Sequence, residues 1–389
     1  MLRVGIVANE VSGDLLGAGL MRALRELRSD IIFEGVGGTR MLEQGCNSLV
    51  PMERLSVMGL VEVLKHLPEL LAIRRQLANH FLANPPDVFI GIDAPDFNLG
   101  LEKRLKNAGI PTVHYVSPTV WAWRSGRVEK IKEAVNLLLS LFPFETEFLQ
   151  QHQVPVSYVG HSLADEIPLE SDQAKVRSQL GLCQESPVIA ILPGSRMSEI
   201  QGLSAHFIGA AQWILQRRPD TRFVTPLVSP AVRQAFEQQI KTVAPELPIL
   251  LLDGQARDAI TAADVVLTAS GTATLETLLL KRPMVVGYRM QWLTFWIIKR
   301  LNLVKVPYIA MANLLADDGL APEYIQDECT AEKLGSALLR FLDSPEQVAK
   351  IQQAYHKIHC DMRRNSSQKA AQAVLALIAE QAIKAEQKA

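Results

Sequence analysis

Val188-Ile189-Ala190-Ile191-Leu192-Pro193-Gly194-Ser195-Arg196, with Glu199 just beyond, is the stretch that decides the fold. An uncharged apolar run of this length predicts a strand buried on both faces, as in a parallel sheet. Pro-Gly-Ser ends it. Phe207, Ala211, Ile214 and Leu215 then recur at helical spacing. The unit is a strand, a tight turn and a helix. It comes a second time as Val265-Val266-Leu267, then Ala269-Ser270-Gly271-Thr272-Ala273, with Glu276 beyond. There Leu275, Leu278 and Leu279 mark the apolar helix face, and Pro283 stops the helix. Such a turn presents backbone N–H groups at a helix N-terminus, where partial positive charge favours an anion. Two of them in one half of a chain predict one ligand with a phosphate-rich middle.

Outward from these turns, apolar runs alternate with helical patterns, which predicts βαβ units and parallel sheets. The first half offers strands at Val4–Ala8, Ile31–Val36, Val88–Ile92, Thr112–Val116, Val135–Leu141 and Ser157–Val159. The second offers Val188–Leu192, Arg222–Pro226, Ile249–Leu252, Val265–Thr268 and Met284–Gly287. Polar residues from Pro168 to Pro187 read as a connector. The expected fold class is α/β, with two Rossmann-like domains in tandem. The expected division is 1–167 with C-terminal helices from about 345 to 389, and 168–344 between them.

The 389 residues are 48% hydrophobic and 21% charged, ordinary for a globular chain, and the net charge of −1 predicts no general attraction to nucleic acid. Cys46, Cys183, Cys329 and Cys360 are far apart, which fits a reducing compartment better than a disulfide framework or zinc site. No leader pattern opens the chain and no run of about 18 apolar residues crosses it, so neither secretion nor a membrane span is expected.

Ligands of open α/β sheets bind beyond the carboxyl ends of the strands. Asp93 ends the apolar run Val88-Phe89-Ile90-Gly91-Ile92, where partial desolvation suits a general base. Asp96, three residues on, reads as a helix N-terminal charge. Arg196 has the planar fork that clamps phosphate, or else pairs with Glu199 on the surface. Glu276 offers a paired acceptor for a ribose diol, or is a solvated helix residue. His161, in Gly160-His161-Ser162, is a junction residue or a ligand. His356 and His359 share a helix with Cys360 but lack a third ligand, so no metal is expected. Val57–Leu71 with Arg74 and Arg75, and Trp292–Leu301 with Lys299 and Arg300, combine apolar surface with basic residues, as interfacial helices do. Each also fits a core helix or a dimer contact. The G-x-G-x-x-G of dinucleotide enzymes is missing after the first strand, against a nicotinamide oxidoreductase.

Six motifs together resemble the lipid-A-disaccharide synthase family: Ala8-Asn9-Glu10-Val11-Ser12-Gly13-Asp14, Gly91-Ile92-Asp93-Ala94-Pro95-Asp96-Phe97-Asn98, His114-Tyr115-Val116-Ser117-Pro118-Thr119-Val120-Trp121-Ala122-Trp123-Arg124, Leu192–Arg196, Ala269–Ala273 and Pro283–Met290. The resemblance spans essentially the whole chain. It implies a GT-B glycosyltransferase whose C-terminal helix packs back on the N-terminal domain. It implies transfer of a 2,3-diacylglucosamine unit from its UDP donor to 2,3-diacylglucosamine 1-phosphate, with inversion, and no cofactor. It assigns Asp93, Arg196 and Asn313 to catalysis. Glu10, Ser12 and Gly13 match an acceptor loop. Gly194, Ser195, Ser270, Gly271, Thr272, Glu276 and Tyr288 match the donor site. Leu60, Val61, Leu64, Leu67 and Leu71 match a membrane-facing helix. It further implies a cytoplasmic protein held peripherally at the inner membrane, and a homodimer with exchanged C-terminal parts. Asn9, Val11 and Ala312 stand where the family usually has Gly, Ala and Pro. Other readings of the same motifs are another UDP-N-acetylglucosamine enzyme of this fold, a cell-wall transferase or an epimerase, and a non-catalytic nucleotide-sugar binder at the membrane.

Overall fold

The computed structural model describes residues 1–56, 60–118, 128–290, 300 and 307–387, with the backbone alone at 60–65 and 385. The chain divides into two units, Met1–Asp165 with Met362–Ala389, and Glu166–Asp361.

The first unit is built on a seven-stranded sheet. Its strands are β1 (Leu2–Ala8), β2 (Ile31–Val36), β3 (Cys46–Ser48), β4 (Val88–Ile92), β5 (Thr112–Tyr115), β6 (Leu137–Ser140) and β7 (Val156–Tyr158), in the order β3-β2-β1-β4-β5-β6-β7. Every pairing is parallel. Helices cover the sheet, so β4 is buried at each of its positions. A side chain such as Phe89 or Ile90 then contributes roughly 1.5–3 kcal/mol.

The last helix, Ser366–Glu386, packs on the first helix, Val11–Leu27, burying Ala370, Ala371 and Val374. Gly19 permits this approach: a Cβ there would lie 2.7 Å from Ser367 Oγ. The Asp165 carboxylate caps the same helix, accepting the N–H of Asn365 at 2.9 Å and of Ser366 at 2.6 Å.

The second unit repeats the plan with six strands. They are β8 (Val188–Leu192), β9 (Arg222–Leu227), β10 (Ile249–Asp253), β11 (Val265–Ala269), β12 (Met284–Tyr288) and β13 (Glu323–Ile325), in the order β10-β9-β8-β11-β12-β13, again all parallel. Helix Met197–Leu215 buries Ile200, Leu203, Phe207, Ala211 and Ile214. Leu215 of the predicted stripe is only half-buried. Helix Thr272–Leu279 buries Leu275, Leu278 and Leu279 as the spacing predicts.

Two features depart from the sequence reading. Edge strands β3 and β13 were not expected. The chain returns to the first unit at Met362 rather than near 345, because helix Pro345–Met362 lies almost wholly in the second unit.

Candidate active site

In both sheets the chain runs to one side of its first strand, then crosses to the other. The neighbours at that reversal are β8 and β11 in the second unit, β1 and β4 in the first. A crevice opens at the carboxyl ends of such a pair. In the second unit the two turns that follow β8 and β11 line one cavity of about 300 Å³. Gly194, Ser195, Arg196 and Glu199 enter it from the first turn, and Ser270, Gly271, Thr272 and Glu276 from the second.

The turns differ in what their N–H groups meet. Glu199 bends back over the first: its carboxylate accepts from Ser195 N–H at 2.8 Å and Arg196 N–H at 3.1 Å. Of the two readings of Arg196, this disfavours the surface ion pair with Glu199, because the glutamate binds backbone instead. Gly194 makes the fold-back possible. Its φ is +114°, and a Cβ would run into the Glu199 side chain. Arg196 is exposed. In the second turn no side chain caps helix Thr272–Leu279, and Gly271, at φ +140°, faces open space. The open anion donors therefore belong to the second turn, while the first supplies the Arg196 guanidinium.

Glu276 is half-buried on helix Thr272–Leu279. Arg257 Nε donates to it at 3.4 Å, and the same arginine reaches Glu166 at 3.2 Å. Tyr288, ending β12, is half-buried, and burial raises its pKa, the Glu199 carboxylate adding to this and Arg196 opposing it. Asn313 is 1% exposed, and its amide is committed inside the protein. It donates to Ala321 carbonyl at 2.7 Å and Glu323 Oε1 at 2.8 Å, and accepts Ala321 N–H at 2.8 Å. Glu323 in turn accepts the N–H groups of Ile309 and Ala310. Asn313 thus fastens the loop that follows helix Met311–Ala316.

In the first unit Asp93 leaves β4 in a left-handed turn. Asp93 has φ +51° and Ala94 φ +43°, two consecutive non-glycine residues in that region. Such conformers cost about 1–3 kcal/mol each and persist only where surroundings impose them. Asn98 is the clamp: its Nδ2 donates to the carbonyls of Asp93 at 2.9 Å and Ile92 at 3.2 Å, and to Asn9 Oδ1 at 3.3 Å. Burial raises the Asp93 pKa; the Ala94 N–H works against this, Glu10 adds to it and His114 opposes it. Glu10, in the loop after β1, accepts from Ser12 Oγ at 2.5 Å. Gly13 is buried at the start of helix Val11–Leu27. Asp14, one residue on, is structural, accepting the N–H of Gly38, Arg40 and Met41.

Other residues fall outside these two places. Burial lowers His161 to a pKa of about 4, and its Nδ1 accepts Leu163 N–H at 3.1 Å. His359 meets Lys281 Nζ at 2.6 Å, and His356 meets Cys360 Sγ at 3.5 Å. On helix Leu60–Ala83, Leu67 and Leu71 are 41% and 44% exposed. The side chains of Leu60, Val61 and Leu64 lie outside the described residues, as do Trp121, Trp123, Arg124 and Trp292–Lys299. Among the described residues no helix is long and apolar enough to cross a membrane.

The family described as Lipid-A-disaccharide synthetase matches residues 4–378. The chain belongs to the lipid-A-disaccharide synthase family. It is 52% identical to the lipid-A-disaccharide synthase of Hahella chejuensis over 97% of this chain and 94% of that one. The same enzyme of Pseudoalteromonas translucida is 52% identical, covering 97% of each, and that of Pseudomonas aeruginosa 53%, covering 97% and 98%. As a lipid-A-disaccharide synthase the chain is a glycosyltransferase. Among solved structures it resembles a UDP-GlcNAc 2-epimerase from Neisseria meningitidis bound to UDP-GlcNAc, with TM-score 0.60, 13% identity and coverage of 97% and 100%. It also resembles a glycosyltransferase from Rickettsia africae, with TM-score 0.59, 13% identity and coverage of 98% of both chains. These two likenesses are of fold, and the fold is of the GT-B type.

Proposed function

We propose that this lipid-A-disaccharide synthase moves a 2,3-diacylglucosamine unit from its UDP carrier to the 6-hydroxyl of 2,3-diacylglucosamine 1-phosphate, inverting the anomeric carbon to form a β-1′,6 link. The observation that carries the reading is the cavity both turns line. The diphosphate meets the uncapped N-terminus of helix Thr272–Leu279 and the Arg196 guanidinium, and Glu276 takes the ribose hydroxyls. In the first unit Asp93 accepts the proton of the acceptor hydroxyl as that oxygen attacks the anomeric carbon and the bond to UDP breaks. Charge on the departing diphosphate is met by donors already in place. Glu10, Ser12 and Gly13 contribute to the acceptor site. Asn313 acts by fixing its loop, and Tyr288 borders the donor site.

Both substrates carry acyl chains, and exposed Leu67 and Leu71 support peripheral attachment of helix Leu60–Ala83 to the inner membrane. A homodimer exchanging C-terminal parts would form the contacts of helix Ser366–Glu386 between chains; light scattering of the purified protein tests it.

The activity is tested by mass spectrometry of products from the acylated donor and acceptor. The disaccharide 1-phosphate and UDP should appear together. Product from unacylated UDP-N-acetylglucosamine instead, or donor binding with no product, overturns the reading.

A further inference from the structure

A second cavity of the second unit, of about 480 Å³, lies at the other end of the sheet from the donor cavity. Its wall comes from the segments that enter β8, β11 and β12, and from helices Gln173–Gln179 and Pro345–Met362. The strands are parallel, and β8 and β11 have five residues each, so a strand length of about 16 Å separates the two places. The two cavities share no lining residue.

Three arginines line this second cavity: Arg177, Arg218 and Arg282. The protein itself accounts for two of them. Arg177 donates from Nε to the Ala262 carbonyl, from Nη1 to the Gln184 carbonyl and from Nη2 to Asp264 Oδ2, each at 2.8 Å. The Asp264 carboxylate matches its charge. Arg218 is half-buried and pairs with the exposed Asp343 at 2.7 Å.

Arg282 is different. It is 8% exposed; its Nη2 donates to the Thr261 carbonyl at 2.8 Å, and its Nε is buried without a partner. Among the described residues it has no ion pair. Glu185, the other acid of the wall, is exposed to water. Burial lowers the Arg282 pKa, Asp264 opposing this and Arg177 adding to it. A guanidinium nevertheless stays protonated at neutral pH. The protein therefore holds a buried positive charge without a counter-charge, which costs more than one carbonyl returns. Capping the C-terminus of helix Ala256–Ala262 does not explain it, since Arg177 already serves that end.

We infer that this cavity binds a small phosphate-bearing anion, with the Arg282 guanidinium as its counter-charge and Arg218 as a second cation on the same wall. A planar fork suits phosphate, and two arginines suit a dianion. Phe341, Leu342 and Val348 supply apolar wall for an organic body on that phosphate. The inference is independent of the reaction proposed above.

The test is thermal unfolding of the full chain in sodium phosphate, against sodium chloride of equal ionic strength. Wild type, Arg282→Gln, Arg282→Met and Arg196→Ala are compared. Phosphate should raise the wild-type midpoint saturably, as a ligand of the folded state does. Its apparent affinity should fall tenfold or more in both Arg282 variants, while Arg196→Ala keeps it. Without phosphate both Arg282 variants should melt above wild type, because neither buries a charge. If neither folds, Arg218→Gln decides: affinity should fall threefold or more. Phenyl phosphate tells the two sources of the anion apart. Tighter binding than phosphate assigns an organic phosphate, and equal binding the free ion. A wild-type midpoint indifferent to both probes overturns the proposal. So does an affinity that the Arg282 variants keep, or one that Arg218→Gln keeps where it decides.

Discussion

The Glu199 carboxylate accepts the backbone N–H of Ser195 at 2.8 Å. A helix-capping acid thus sits in the cavity where a diphosphate is proposed to bind. It stabilises the turn and repels the ligand. Glu199→Gln keeps an acceptor for the N–H and removes the charge. UDP should bind the variant a few-fold more tightly at low salt, the gain shrinking as salt rises. Arg196→Ala should change affinity in the opposite direction by tenfold or more. Titration calorimetry with UDP measures both; equal affinities across the three proteins would remove Glu199 and Arg196 from the site.

Gly194 and Gly271 share the left-handed region but not their surroundings. Alanine at Gly194 meets both a strained φ and the Glu199 side chain, whereas alanine at Gly271 meets only the strain. Gly194→Ala should lower the midpoint of thermal unfolding clearly more than Gly271→Ala, which should cost about 1–2 kcal/mol. Equal midpoints in differential scanning fluorimetry would show that Glu199 moves aside freely.

Removing the Asn313 amide leaves Ala321 and Glu323 without partners they now have. Asn313→Ala should cost about 2–4 kcal/mol. Asn313→Asp should cost more, since it sets a carboxylate against Glu323. Chemical denaturation at neutral pH measures the loss, and Asn313→Asp should recover part of it as the pH falls. A loss below about 1 kcal/mol in Asn313→Ala would mean the loop does not depend on this side chain.

Burial raises the Asp93 pKa, so the folded state holds its proton more firmly than the unfolded chain does. The penalty of an ionised Asp93 is therefore present above the raised pKa and gone below the ordinary carboxylate range. Asp93→Asn should unfold at a higher temperature than wild type at pH 7.5, with the gap closing as pH falls. At the same time kcat should drop 10²–10⁴-fold, the usual contribution of a general base. A lower melting temperature at pH 7.5 would contradict the burial argument.

His161 works in the other direction. Its folded pKa of about 4 lies below the ordinary histidine value of 6.5, so the unfolded chain takes up the proton first. The stability tied to neutral His161 is whole above pH 6.5 and is lost between 6.5 and 4. His161→Asn keeps an acceptor for Leu163 N–H and should flatten that part of the stability curve. Parallel curves for the two proteins would assign the acid loss elsewhere.

The strands legible in the sequence were those whose burial leaves no room for polar residues, such as Val188–Leu192 and Val88–Ile92. Cys46-Asn47-Ser48 and Glu323-Tyr324-Ile325 carry no such signal. They are three-residue edge strands, defined by backbone pairing to one neighbour. The site divides in the same way. Asp93 and the two glycine turns were visible because each follows an apolar run. The Glu199 fold-back was missed because an acid three residues into a helix reads equally as a surface ion pair. The arginine cavity gave no signal at all: arginine is almost never wholly buried, and Arg177, Arg218 and Arg282 come together only through the fold. Asn313 was legible as a residue but not as a fastening, since Ala321 and Glu323 reach it only through the fold.

Helix Ser366–Glu386 covers the apolar face of helix Val11–Leu27 and takes its cap from Asp165, 201 residues before Ser366. On the ribosome the second unit is therefore made before the first can close. At the usual 5–20 residues per second the wait is roughly 10–40 s. Throughout it, the nascent first unit carries an uncovered greasy surface beside a largely formed sheet, a state that invites chaperone binding or self-association. Shortening the C-terminus should thus be felt first in yield of soluble protein, before any change in the chemistry of the donor site.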